Sequence, residues 1–149
     1  MADEIVSIIV PQRKYDQVLQ QAIDQNVIVF PEHVETHFEP VQVYRAVSMQ
    51  KNQPVRPLNR SDFNSQVENV RIGKPIPCDE RNWVNYSCSC FVDLQELSLA
   101  MKLPRKSKRI AIGRIDEQYG SCLKDIETTH IHWFLYEDCD PSPLFYVEE

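Results

Sequence analysis

The chain has 149 residues and a mass of 17.5 kDa, with 42% hydrophobic and 26% charged residues. That is one domain's worth of sequence, with enough apolar mass for a core, and it excludes a disordered tail, a fibre and a coiled coil. The net charge is -6, from 16 Lys and Arg against 22 Asp and Glu, so general affinity for phosphate backbones is not the default expectation.

The opening Met1-Ala2-Asp3-Glu4 is acidic where an export signal would be basic. The apolar run Ile5–Val10 is far shorter than the ~18 residues of a spanning helix. Five cysteines, an odd number, point to reduced thiols. The expectation is a cytoplasmic protein that makes no membrane contact. With only Gly73, Gly113 and Gly120, the chain has neither a dinucleotide fingerprint nor a P-loop.

In chain order, Glu4–Val10 is apolar and β-branched and predicts a strand that Pro11 stops. Tyr15, Val18, Leu19, Ala22 and Ile23 share one helical face. Val27–Phe30 predicts a short strand, so residues 1–31 read as a β-α-β addition. Val41–Val47 alternates as a strand, with Arg45 on the face otherwise made of valines. A Pro-containing loop over 48–60 follows. Then comes a short helix with Phe63, Val67 and Val70, capped by Ser61 or Asp62. Trp83–Phe91 predicts a strand, and Asp93 caps a helix carrying Leu94, Leu97, Ala100 and Met101. Arg109–Ile115 predicts the next strand, 116–129 a connection, and Ile131–Tyr136 the last strong strand. Leu144–Val147 adds a terminal one. The sum is about six strands and three helices, an α+β domain with helices packed on a mostly antiparallel sheet.

Three strands hold the side chains that can carry chemistry. Tyr44-Arg45 lies in the first of them, Ser87-Cys88-Ser89 in one that runs on into a helix, and Tyr136-Glu137 at the end of a late one. This order of arginine, Ser-x-Ser and glutamate over residues 41–140 resembles the ADP-ribosyltransferases. The resemblance implies a transferase-like fold and NAD as the bound cofactor or substrate, with an unidentified acceptor. It implies Arg45 as the clamp on NAD, Ser87 or Ser89 shaping the nicotinamide pocket, and Glu137 as the catalytic carboxylate. Tyr44 and Tyr136 join these as NAD-binding candidates; they belong to a set of aromatics with Trp83, Tyr86, Trp133 and Phe134 whose default is core packing and whose alternative is a stacking pocket for a base or nicotinamide ring. Its setting would be a toxin or a defence-type effector. The chain has Ser-Cys-Ser in the middle motif, and Leu135 two residues before Glu137.

Other constellations stay open. His130 and His132 are spaced to share one face of a strand. His132 can act as a general base, since an ordinary imidazole titrates near pH 6.5. Cys88 and Cys90 have the same spacing, and the four together would suit zinc if the strands were neighbours. Cys90 with a histidine is also a candidate thiolate nucleophile. Two non-NAD readings accompany these. One is a regulatory, antitoxin-like or immunity-like module meeting a protein partner through its acidic C-terminal stretch. The other is an RNA-binding or RNA-processing domain using the cluster Arg105, Lys106, Lys108 and Arg109.

Overall fold

The computed structural model describes residues 13–74 and 77–148. The expected strand over Glu4–Val10 lies outside the described residues. The architecture is α+β: one six-stranded antiparallel sheet with helices on it. Its strands are β1 (Val41–Ser48), β2 (Cys88–Phe91), β3 (Lys108–Ile115), β4 (Gly120–Lys124), β5 (His130–Leu135) and β6 (Phe145–Val147). They are ordered β4-β5-β2-β1-β3-β6 across the sheet. The helices are α1 (Gln17–Asp24), α2 (Gln66–Arg71) and α3 (Leu94–Ala100). No helix among the described residues is long and apolar enough to cross a membrane.

Period-2 alternation gives the sheet two different faces. On one, Val43, Val47, Cys88, Cys90, Ala111, Ile131 and Trp133 form a core closed by Phe38, Met49 and Phe63 from the connections. The loop over 48–60 covers this face, with Val55 and Leu58 packed against it. Gly113 sits opposite Phe145 in the β3–β6 pairing. A Cβ there would meet the Phe145 ring at 2.5 Å. We expect Gly113→Ala to cost about 2 kcal/mol by overpacking, read as a shift in the urea midpoint with an unchanged slope.

On the opposite face, α1 lays Leu19 and Ala22 over Phe134, beside Tyr15, Val67, Tyr86 and Tyr136. Tyr15 stacks on Tyr136, and its hydroxyl shares a 2.8 Å hydrogen bond with buried Ser121. So α1, expected as part of an outlying addition, supplies one wall of this second core.

Asp16 is the N-cap of α1 and accepts from the Leu19 amide at 3.1 Å. Burial, then the nearby Glu68 carboxylate, push its pKa up to about 6. A carboxyl with a raised folded pKa stabilises the fold below its unfolded pKa. That contribution is lost as pH rises through about 6. Asparagine caps as well without ionising. Asp16→Asn is therefore expected to be about 1 kcal/mol more stable than the wild type at pH 7 and to lose the decline between pH 4 and 6. Thermal melts across that range check it.

Several expected elements differ. Val27–Phe30 forms no strand: Val29 is 87% exposed, and the segment runs irregularly. Trp83–Tyr86 is a 3-10 turn capped by Asn82, so the strand begins only at Cys88. The helix after the proline loop splits into a 3-10 turn (Arg60–Phe63) and α2. Ser65 caps α2 in a reciprocal box with Glu68. The connection 116–129 contains β4, whose Gly120-Ser121-Cys122 lacks the β-branched residues that mark a strand.

Candidate functional site

β1 and β2 are neighbours joined by one residue pair, Tyr44 with Phe91. Beyond it the strands splay, and Arg45 enters the gap. Its guanidinium donates to the backbone carbonyls of Ser89 at 2.7 Å, Asp62 at 3.0 Å and Asn64 at 3.2 Å. The side chain ties β2 to the 3-10 turn and to the approach to α2. A planar fork of donors suits this task, which one ammonium could not perform.

The splay opens a cleft of about 260 Å³ lined by Arg45, Ser87, Ser89, His130, His132 and residues of α2 and α3. β2 pairs with β5 so that Ser89 lies opposite His132 and Phe91 opposite His130. Ser87 donates its one hydroxyl hydrogen to the Val84 carbonyl at 2.8 Å. Its oxygen therefore accepts from His132 Nδ1–H at 3.3 Å, which leaves the lone pair on Nε2. Ser89 Oγ shares a 2.5 Å hydrogen bond with His130 Nε2. The two imidazoles lie 4.3 Å apart, with Phe91 stacked on His130 at 4.6 Å and Trp83 edge-on to His132 at 5.2 Å.

Burial in this aromatic setting disfavours charge. The pKa of His132 is lowered to about 4 by burial, then by His130 beside it. That of His130 is lowered by burial as well. Both imidazoles are neutral at physiological pH. Asn64, Gln66, Asn69 and Lys108 add amides and a cation to the lining, and Leu97 of α3 and Met101 just after it add apolar surface.

Arg45, Ser87, Ser89 and His132 are thus brought together, as expected from sequence. Glu137, Tyr44 and Tyr136 are not. Glu137 is exposed and lines a separate groove with Lys14, Gln17 and Gln21 along α1. Tyr44 is the paired residue of the seam and does not line the cleft, its hydroxyl accepting from Gln42 at 3.2 Å. Tyr136 is buried in the α1 core, with the Arg13 guanidinium 4.2 Å from its ring centre. Among the described residues no carboxylate lines the cleft.

The thiol readings are overturned by geometry. Cys88 and Cys90 are buried in the core on the other face of the sheet from the histidines. Among the described residues, no group of three or more His, Cys, Asp or Glu side chains could hold a metal. Cys90, enclosed on all sides, has its thiol pKa pushed well up by a hydrogen bond with Cys88 and by burial, the opposite of an activated nucleophile.

Lys108, read from sequence only as part of a basic cluster, lines the cleft, and sequence reasoning missed Asn64, Gln66 and Asn69 beside it. The signal for two of them was present. Ser65-x-x-Glu68 is a capping box, and it fixes the start of α2, which places Gln66 and Asn69 on one helical face. Comparison with protein-family models, with curated proteins and with solved structures finds no match to this chain.

Proposed function

We propose that the cleft binds the nicotinamide–ribose end of NAD and that the protein cleaves the bond between them in the manner of an ADP-ribosyltransferase. One observation carries the reading. Arg45, Ser87, Ser89 and His132, chosen from separate stretches of sequence, line one cleft.

The lining suits one end of the ligand. Phe91 is a flat partner for a ring, and Asn64, Asn69 and the two serines are hydrogen-bonding partners for a carboxamide and ribose hydroxyls. At about 260 Å³ the cleft is smaller than the roughly 300–1,000 Å³ of most ligand sites, so it takes one end of a dinucleotide. When bound, NAD supplies a bond from ribose to a cationic ring that leaves as neutral nicotinamide.

The roles of the side chains differ from those the family resemblance implies. Arg45 shapes the cleft by holding three carbonyls. In place of a carboxylate, His132 Nε2 takes the proton of a water or acceptor hydroxyl brought against it, while Ser87 holds Nδ1 and fixes the tautomer. Leu97 of α3 and the adjoining Met101 give the cleft an apolar side.

A second reading, a binding module without turnover, is favoured by the position of Glu137 outside the cleft. One experiment separates the two. The protein is incubated with NAD, free nicotinamide is measured by mass spectrometry, and the NAD-induced melting shift is recorded beside it. Release supports cleavage. A melting shift without release supports the binding module. Neither signal defeats the NAD reading altogether.

A further inference from the structure

A second groove, of about 390 Å³, adjoins the cleft, and Lys108 lines both. Its lining includes Lys51, Arg109, Ser98, Ile110 and Glu148. The antiparallel pairing of β1 with β3 builds it. Ser48 faces Lys108 at the end of the ladder, and the Lys51 amide continues the pairing by donating to the Lys106 carbonyl at 2.8 Å.

In a chain of net charge -6 this corner is cationic. Lys51, Arg105, Lys106, Lys108 and Arg109 form no salt bridge among the described residues, although five other Arg or Lys side chains do. Arg109 spends one terminal nitrogen on the carbonyls of Gln50, Lys51 and Gln53. Its Nε is buried without an acceptor, one of two such side-chain atoms among the described residues. The Lys108 ammonium donates to Ser48 Oγ at 2.9 Å. Its pKa is lowered by burial, then by Arg105, Arg45 and Lys74, all of the same sign. Glu148 is the one carboxylate on the lining, and Leu103, Pro104 and Ile110 give it an apolar wall.

We propose that this groove is a diphosphate site that holds the ADP half of a dinucleotide, with Lys108 at the junction to the cleft. Lys51 and Lys108 meet the phosphates, and the apolar wall takes the base. Continuity with the cleft rests on the NAD reading above; the phosphate chemistry of the groove does not. The two sites are complementary. The cleft offers imidazoles, hydroxyls and amides to the nicotinamide–ribose end, and the groove offers Lys51, Lys108 and Arg109 to the pyrophosphate.

The test is calorimetric titration of the full chain with ADP and, separately, with nicotinamide riboside, which has no phosphate. The variants are Lys51→Ala and Lys108→Gln. Lys51 is exposed and its side chain makes no hydrogen bond among the described residues, so its removal spares the fold. Each variant is expected to weaken ADP about tenfold and to flatten the dependence of affinity on salt; Lys51→Ala, at a residue that lines the groove and not the cleft, is expected to leave nicotinamide riboside unchanged. ADP binding that ignores both variants, or wild-type protein that binds no ADP at millimolar concentration, overturns the groove. ADP binding that falls in the variants while nicotinamide riboside fails to bind upholds the groove and defeats the NAD reading of the cleft.

Discussion

Arg45→Ala is expected to lower the melting temperature by roughly 10 °C, a loss of about 3 kcal/mol. The three carbonyls it leaves behind, of Asp62, Asn64 and Ser89, belong to different segments, and Arg45 joins all three. Hydrogen bonds to a charged donor are worth more than neutral ones, and orphaned acceptors inside a half-buried gap add their own cost. Arg45→Lys should recover little, because one ammonium reaches one of the carbonyls at a time. A guanidinium that clamped NAD, as the family resemblance implies, would give the opposite result, lost ligand binding with an intact fold. The melt of the ligand-free variant decides between them: an unchanged transition would mean that the guanidinium serves a ligand and not the gap.

The second large effect is on turnover. His132→Gln is expected to reduce nicotinamide release by roughly 10²–10⁴-fold while leaving NAD binding within a few fold. Glutamine offers an amide donor to Ser87 but no basic nitrogen. In the wild type, release should be flat from pH 8 down to about pH 5. It should fall as the imidazole protonates near its lowered pKa of about 4. Stability has a matching signature. A histidine whose folded pKa lies below its unfolded one favours the fold above pH 6.5, and that advantage is lost as pH falls toward about 4. The variant removes this acid-side loss. Release that declines instead near pH 6.5, or that survives in the variant, would show that another group takes the proton.

Much of the sheet is written in local pattern. β1, β3 and β5 alternate, and their observed bounds lie within about a residue of those the alternation marks. α1 and α3 follow the spacing of their apolar residues and the caps at Asp16 and Asp93. The failures share a physical cause. Val27–Phe30 has strand composition but pairs with no strand among the described residues, and composition cannot see pairing. β4 has weak composition but lies along β5 for five residues, and the partner imposes the strand. The same holds for the site. The alignment of Ser89 with His132 follows from β2 lying beside β5, and no spacing within one segment reveals that. Glu137 lies just beyond the end of β5, near the others in sequence order but turned toward α1, where its amide donates to the Lys14 carbonyl.

The single rung between β1 and β2 also makes the sheet two unequal ladders. β1 and β3 share eight paired positions, and β2 and β5 share four, but only Tyr44 and Phe91 span the seam. Amides on the two sides should therefore exchange with deuterated solvent as two cooperative blocks with different opening free energies. A molecule seated across the seam would weld them, and the slower block would set the rate for both.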